Sequence, residues 1–273
     1  AALDAGINFF DTADIYGQGQ SEEFLGKAIK GRRDQVIIAT KFGNLLEGQG
    51  KGAHPNYIRL AVETSLRRLD TDVIDLYQIH TPDLEVPIVD TLGALNDLVK
   101  AGKVREIGCS NFSAQQLRDA EDASAKSGWA RFVSVQNHYS LVHREPETDG
   151  VLAESEKLHQ GFLPYFPLAS GLLTGKYRLG QPVPDGTRLT GRPDATSDEK
   201  LVVVEALIQF AEAHGHTILQ LAFSWLLAKP VVSSVIAGAT KPEQVHANVG
   251  GAGWNLSASD LAEIDSILAK AVS

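Results

Sequence analysis

Short apolar runs recur along this chain about every 30 to 40 residues, and longer segments with helical periodicity separate them. The runs are apolar almost throughout rather than alternating, which is typical of strands buried on both faces of a parallel sheet. They lie at 7–10, 36–40, 73–79, 104–109, 132–136, 162–166 and 232–237. The predicted helices lie at 21–29, 55–69, 88–101, 113–127, 151–159, 198–214 and 218–228. This alternation predicts an α/β fold.

Seven strand–helix units fit an eight-stranded (β/α) barrel, a TIM barrel, better than an open doubly wound sheet, because no Gly-x-Gly-x-x-Gly motif follows a strand. The chain has 273 residues, enough for one such barrel, so we predict a single domain over residues 1–273. Residues 1–5 read as the end of a helix closed by Gly6, and the chain has no methionine. We therefore interpret the chain as a fragment that begins inside an element.

Composition limits the class of partner. The formal charge of −9 and the lack of basic clusters argue against binding to nucleic acid or to an anionic membrane. Cys109 is the only cysteine, so we expect a buried side chain and no disulfide, and the chain has no signal-like start. His138, His143, His214 and His216 form no metal-binding pattern. We predict a cytoplasmic protein with a small-molecule partner and no metal.

Four side chains capable of chemistry follow the predicted strands. Asp11 and Tyr16 come after the run at 7–10, Lys41 follows the run at 36–40, and His80 closes the run at 73–79. Catalytic residues of α/β folds lie at the carboxyl ends of strands, so we expect these four side chains to converge there.

Such a group suits the reduction of a carbonyl. Hydride transfer places negative charge on the carbonyl oxygen, so a proton donor must lie within hydrogen-bonding reach. Tyr16 is the candidate donor, and Lys41 would lower the pKa of its phenol. Asp11 would hold Lys41 charged, and His80 would orient the carbonyl or share the donor role.

Specific motifs support this interpretation. They are GINFFDTADIYG at 6–17, ATKFG at 39–43, DLYQIH at 75–80 and GCSNFS at 108–113. Together they resemble the aldo-keto reductases over essentially the whole chain. The resemblance implies an α/β TIM barrel with a catalytic tetrad of Asp11, Tyr16, Lys41 and His80. It also implies that the family's first strand and N-terminal hairpin are missing, so the runs at 7–10 and 232–237 should face a gap.

Two further segments resemble the cofactor-binding segments of one branch of that family, YFPLASGLLTGKY at 165–177 and GATKPEQVHAN at 238–248. At strand ends, Ser110, Asn111 and Gln136 offer the donors and acceptors that a nicotinamide carboxamide needs. Tyr165 offers a ring face for stacking. The complete set of predicted cofactor-binding residues is Ser110, Asn111, Gln136, Tyr165, Leu168, Ser170, Gly171, Lys176, Arg188, Gly238, Thr240, Lys241, Gln244 and Asn248.

The longest segment without periodicity, 169–197, carries an excess of basic residues and is interpreted as a phosphate-holding flap. Backbone amides near Ser170, with Lys176 and Arg188, would hold the pyrophosphate. A helix starting at Pro242 would leave amides for a ribose phosphate, with Gln244 and Asn248 on one face toward adenosine. Thr240 and Lys241 favour NADPH over NADH, although Gln244 and Ala247 depart from residues common in relatives.

Two alternatives stay open. Lys41 could be the Schiff-base lysine of an aldolase, for which it would have to be unpaired, and Asp11 argues against that. The same fold also serves as a potassium-channel β-subunit, a binding protein that resembles the reductases. That branch typically has Asn at the position of His80, so His80 favours an NADPH-dependent reductase of an aldehyde or ketone.

Overall fold

The computed structural model describes residues 1–269. The strands are β1 Phe9–Asp11, β2 Ile37–Phe42, β3 Ile74–Ile79, β4 Val104–Ser110, β5 Phe132–Gln136 and β6 Gly161–Phe162. The helices are α1 Gln20–Ala28, α2 Pro55–Leu69, α3 Ile88–Lys100, α4 Ala114–Ser127, α5 Glu145–Thr148, α6 Val151–Lys157, α7 Asp198–Ala213, α8 Ile218–Leu227, α9 Pro242–Gly250 and α10 Ala258–Ala269. Short 3-10 helices lie at Arg33–Gln35, Ala169–Thr174 and Pro193–Thr196.

Internal packing divides these residues into two compact units. The strand unit comprises 6–137 and 146–162 and holds all six strands with α1 to α4 and α6. The C-terminal unit comprises 1–5, 138–145 and 163–269 and holds α7 to α10. The predicted catalytic residues all belong to the strand unit.

The six strands form one parallel sheet in which each strand pairs with the next one along the chain. The register places Asp11 beside Ala39 and Lys41 beside Gln78. Strand β3 is buried along its whole length, as its apolar sequence predicts. The α/β class is confirmed, and the parallel order places the carboxyl ends of all six strands at one edge of the sheet.

Local sequence explains where the helices around this sheet begin. Helix α4 starts with a capping box, in which the Ser113 hydroxyl accepts from the Gln116 amide and the Gln116 side chain accepts from the Ser113 amide. Helix α2 begins with Pro55, whose missing N–H costs nothing at a first helical position. Gly26 lets α1 approach α2, because a Cβ there would lie 2.7 Å from the Leu69 backbone.

Three predicted elements differ from the structure. Strand β6 is only Gly161–Phe162 rather than 162–166, because Pro164 and Pro167 have no amide to donate. The run 232–237 forms no strand: the Ile236 amide donates to the Pro164 carbonyl at 3.1 Å, whereas the Val232 amide donates back to the Lys229 carbonyl. Residues 1–5 form a hydrogen-bonded turn rather than a helix, followed by Gly6 at a φ of 87°.

No helix within residues 1–269 combines the length and apolar character needed to cross a membrane.

Candidate active site

The structure brings the four predicted catalytic residues together in the strand unit. Asp11 ends β1, Lys41 lies in β2, His80 directly follows β3, and Tyr16 lies in the loop between β1 and α1. The Lys41 ammonium lies 2.6 Å from a carboxylate oxygen of Asp11 and 5.3 Å from the centroid of the Tyr16 ring. The Tyr16 and His80 rings meet edge to face, with 5.8 Å between their centroids.

Asp11 connects several strands through its two carboxylate oxygens. Oδ2 accepts from Lys41 in β2. Oδ1 accepts from the side-chain amide of Gln136 in β5 at 2.9 Å, and more weakly from that of Gln78 in β3 at 3.4 Å. The side chain is only 6% exposed. Asp11 is therefore a fixed acceptor at the base of the site.

Lys41 is a buried charge with protein acceptors on two sides. Its side chain is 1% exposed, and Nζ also donates to the Thr12 carbonyl at 2.7 Å. Burial lowers the pKa of Lys41, while the neighbouring carboxylates of Asp11 and Asp14 act to raise it. These contacts hold the ammonium in a fixed position next to the Tyr16 ring.

His80 is a neutral imidazole at physiological pH. Burial, reinforced by the charge of Lys41 and opposed by Asp11, lowers the pKa of His80 to about 4. Its backbone is fixed on both sides, since the His80 amide donates to the Phe42 carbonyl and the Asn111 side chain donates to the His80 carbonyl. A neutral imidazole can donate one hydrogen bond to a substrate oxygen, but above pH 4 it is a poor proton donor.

Tyr16 is the exposed member of the group. Its side chain is 42% exposed, whereas Lys41 behind it is almost fully enclosed. The Tyr16 amide donates to the Ala13 carbonyl, and the Tyr16 carbonyl accepts from Ser21 at the start of α1. The loop therefore presents the phenol toward solvent from a fixed backbone.

Three predicted cofactor residues of the strand unit lie next to this group. The Ser110 hydroxyl donates to the Gln136 carbonyl at 2.7 Å. The Asn111 side chain donates to Ser110 as well as to His80, from a left-handed backbone with a φ of 62°. The Gln136 amide donates to Asp11. These side chains thus hold the predicted catalytic residues in place, and their contact with a cofactor stays a prediction.

In the C-terminal unit, Tyr165 belongs to an aromatic stack. Its ring is parallel to that of His138 with 5.5 Å between centroids, and His138 stacks on His143 at 3.6 Å. Burial and the neighbouring His143 lower the pKa of His138 to about 4. Phe166 follows with a positive φ and carries the Arg188 guanidinium over its ring at 5.3 Å.

The segment after Phe166 turns sharply, because Ala169, Ser170 and Gly171 all have positive φ. Lys176 packs against Gly171, where a Cβ would lie 3.2 Å from the Lys176 ammonium. The Gly171 amide is already used, since it donates to the Leu168 carbonyl. Of the basic residues in the predicted flap, Arg178 is paired: its guanidinium donates two hydrogen bonds to Glu205 of α7, at 2.9 and 2.6 Å.

Helix α9 begins at Pro242, as predicted, with Lys241 as its N-cap residue. The helix has no side-chain cap at its N-terminus. Gln244 instead accepts from both the amide and the hydroxyl of Thr240, at 2.7 and 3.2 Å. Gln244 and Asn248 both lie in this helix, four residues apart, and nothing lies within 4 Å of a Cβ added at Gly238.

Sequence reasoning missed several residues that complete the site. Gln78 lies two residues before His80, so the period of a strand places both on one face, and this was the available signal. Asn137 accepts from the Asn111 amide at 2.7 Å, and Asp14 lies buried beside Lys41. Among residues 1–269, no cluster of three or more His, Cys, Asp or Glu side chains is arranged to hold a metal.

The sequence of this chain matches a known protein family and individual relatives. Residues 1–269 match the model of the Aldo/keto reductase family. The chain is 40% identical to aldo-keto reductase YhdN of Bacillus subtilis, over 100% of this chain and 83% of the relative. It is 35% identical to a probable voltage-gated potassium channel subunit beta of Oryza sativa, over 91% of this chain and 79% of the relative.

A solved structure also resembles this chain. The glycerol dehydrogenase of Gluconobacter oxydans superposes with a TM-score of 0.86 at 34% identity, over 99% of this chain and 84% of that chain. The family match spans nearly the whole chain, and the matched region contains Asp11, Tyr16, Lys41 and His80 in contact. This protein therefore belongs to the aldo/keto reductase family, an oxidoreductase family with a TIM-barrel fold.

Proposed function

We propose that this protein reduces an aldehyde or ketone to an alcohol with NADPH, and that Tyr16 donates the proton. The observation that carries the proposal is the enclosed Lys41 ammonium, which lies against the Asp11 carboxylate and 5.3 Å from the Tyr16 ring centroid. A partly exposed phenol backed by a buried positive charge is the arrangement that a general acid at neutral pH requires.

The residues present fit a dinucleotide phosphate. The Lys176 ammonium packs against Gly171, where a Cβ would lie 3.2 Å away, so a positive charge is held at the sharp turn of this segment. The N-terminus of α9 has no side-chain cap and carries Lys241, which suits a phosphate. We therefore assign phosphate binding to Ser170, Gly171, Lys176, Arg188, Thr240 and Lys241. Nicotinamide and adenosine contacts are assigned to Ser110, Asn111, Gln136, Tyr165, Gln244 and Asn248.

When bound, NADPH supplies the hydride that is added to the carbonyl carbon. The carbonyl oxygen becomes negative as the C–H bond forms, and the Tyr16 hydroxyl gives up its proton to that oxygen. Lys41 stabilises the phenolate that remains, while Asp11 keeps the ammonium charged and aimed. His80 donates a hydrogen bond as a neutral imidazole and orients the carbonyl oxygen.

The aldolase alternative requires a neutral, unpaired Lys41. Burial does lower the pKa of this group, but its ammonium is bound to Asp11 and to the Thr12 carbonyl. Trapping of a substrate adduct on Lys41 by borohydride would support the aldolase instead. One relative is named as a potassium channel subunit, and retention of the chain by an immobilised channel domain would support that binding role.

The direct test follows NADPH absorbance while aldehydes, ketones and sugars are supplied as substrates. We expect turnover with at least one carbonyl class. Tyr16→Phe should lower kcat by about 10² to 10⁴, the usual contribution of general acid catalysis, with little change in NADPH affinity. Tyr139→Phe removes a buried phenol from the C-terminal unit, where no role is assigned to it, and is the control. Normal turnover by Tyr16→Phe would exclude Tyr16 as the acid.

A further inference from the structure

Asp14 is a buried carboxyl that the mechanism above does not use. It lies between Asp11 and Tyr16 in sequence and is only 2% exposed. Its amide donates to the Lys41 carbonyl at 3.0 Å, which fixes Asp14 against β2. Within the described residues no side chain donates a hydrogen bond to either of its carboxyl oxygens. A buried carboxyl without a side-chain partner is costly to ionise, so its presence here calls for a physical reason.

The charged groups around Asp14 come from α1, α2 and β2. Glu22 of α1 is fully buried, accepts from the Thr40 hydroxyl at 2.7 Å and pairs with Arg68 of α2 at 3.3 Å. Lys41 of β2 pairs with Asp11 of β1. Two phenols also face it, and the charge of Asp14 adds to burial in raising the pKa values of Tyr57 and Tyr77.

The balance of these charges is uneven. Glu22 with Arg68 and Asp11 with Lys41 form two neutral pairs, so an ionised Asp14 is a third negative charge without a positive partner. Burial and the neighbouring Glu22 raise the pKa of Asp14 to about 7, although the Ile15 amide, Arg68 and Lys41 act to lower it. Asp14 is therefore neutral in acid, and as the pH rises through about 7 it becomes a negative charge that favours the Lys41 ammonium.

We propose that Asp14 is a positioning residue whose negative charge keeps Lys41 protonated at alkaline pH and so sets the upper pH limit of the reaction. The effect on the reaction rests on the proposed reductase function, whereas the effect on Lys41 does not. When Asp14 loses its proton to solvent, the site gains one negative charge, and Lys41 then releases its own proton only at higher pH.

The decisive variant is Asp14→Asn, which keeps the shape of the neutral carboxyl and removes its ionisation. With lysine labelled with ¹³C at Cε, NMR gives the titration midpoint of Lys41, assigned by the resonance that Lys41→Arg removes. We expect the midpoint to fall by about half a pH unit or more in Asp14→Asn, because a nearby negative charge has been lost. In parallel, the basic limb of kcat/KM should move to lower pH by a similar amount.

Asp75→Asn is the matched control. Asp75 is also a buried aspartate of the same sheet, but it pairs with Arg33 and Arg105 and accepts from Ile38 near the start of β2. This variant should leave the Lys41 midpoint unchanged. The unsubstituted protein supplies a second measurement that does not depend on Asp14→Asn: the Lys41 resonance should also shift with a midpoint near pH 7 as Asp14 ionises.

An unchanged Lys41 midpoint in Asp14→Asn, or the absence of the shift near pH 7 from the unsubstituted protein, would overturn the proposal. If the NMR results are as expected and no carbonyl is reduced, the proposed function fails while the assignment of Asp14 stands. If turnover occurs and its basic limb does not move in Asp14→Asn, Asp14 acts on Lys41 but does not set the pH limit, and the proposal is overturned at that step.

Discussion

At the scale of single residues, the site depends on a buried ammonium that cannot move far. Lys41 has the Asp11 carboxylate and the Thr12 carbonyl as acceptors, both within 2.7 Å, and the Tyr16 ring beyond them. Water has almost no access to it. A charge held in this way can act on the phenol without reorganising when the proton moves.

Lys41→Met should therefore damage both catalysis and stability. The substitution keeps most of the length of the side chain but leaves Asp11 without its positive partner. Breaking a buried pair in this way typically costs about 3 to 5 kcal/mol, and we expect kcat to fall by at least about 10². Urea unfolding and single-turnover absorbance measure the two effects. Lys27→Met, at an exposed lysine of α1, is the control, and a normal pH profile in Lys41→Met would contradict the assigned role.

His80 should make the protein sensitive to acid. Its pKa is about 4 in the folded protein against a usual value of 6.5, so the folded state favours the neutral ring. This contribution to stability is complete above pH 6.5 and is lost as the pH falls through about 4. The urea midpoint of His80→Gln should accordingly fall less than that of the unsubstituted protein between pH 6.5 and 4.5. Parallel curves for the two proteins would contradict the low pKa.

At the scale of elements, side-chain hydrogen bonds connect the three loops that follow β1, β2 and β3. Gln18 of the first loop accepts from the Glu47 amide of the second, at 3.3 Å. Thr81 of the third donates to Asn44 of the second at 2.6 Å. Asp83 accepts from Ala53 at 2.8 Å. The loops therefore form one connected border on the side of the sheet where Tyr16 and His80 lie.

Asp83→Ala should destabilise the hydrogen-bonded loops that form this border. Its carboxylate accepts backbone amides from both Ala53 and Glu85, so its removal leaves two donors without their acceptor. We expect a loss of roughly 1.5 to 3 kcal/mol in unfolding free energy. The KM for the carbonyl should rise more than kcat falls, because the chemical groups stay in place. Asp122→Ala, at an exposed residue of α4, should change neither quantity, and a fall in kcat alone would show that the loops act on chemistry.

The start of α9 should discriminate between the two nicotinamide cofactors. NADPH carries an additional phosphate, which Lys241 and the uncapped helix end can bind, so we expect it to bind at least about tenfold more tightly than NADH. Lys241→Gln should narrow this ratio, whereas Lys200→Gln, at an exposed lysine of α7, should not. Quenching of tryptophan fluorescence measures both constants. Equal affinities for NADPH and NADH in the unsubstituted protein would show that this helix end does not bind the additional phosphate of NADPH.

At the scale of the whole molecule, the hydrophobic pattern of the sequence predicts most of the strands. The runs at 36–40, 73–79, 104–109 and 132–136 are confirmed as strands, and most of their residues are buried. The run at 232–237 contains Ser233 and Ser234, and its one backbone hydrogen bond to Pro164 does not make it a strand. Helix α10 could not be predicted from periodicity, since Ile264 is its only buried residue.

Contacts between residues that are distant in sequence cannot be predicted from local patterns. A motif identifies Asp11, and its place at a strand end identifies Gln136. Their hydrogen bond joins residues 125 positions apart, on two strands that are not neighbours in the sheet. The same holds for Glu22 and Asp14, whose burial no local pattern indicates, and for the pairing of Glu22 with Arg68. The division into two compact units was likewise not apparent, because composition changes little along the chain.

The hydrogen bonds of Asp11 have a consequence for how such a protein diversifies. Its oxygens are bound by side chains of β2, β3 and β5, and none of these partners comes from the loops that border the opening. Mutations in those loops that spare Tyr16 and His80 can therefore accumulate while Asp11 and Lys41 keep their places in the sheet. Related proteins with this sheet can therefore come to accept different substrates through stepwise changes in the loops, while the Asp11 hydrogen bonds stay the same.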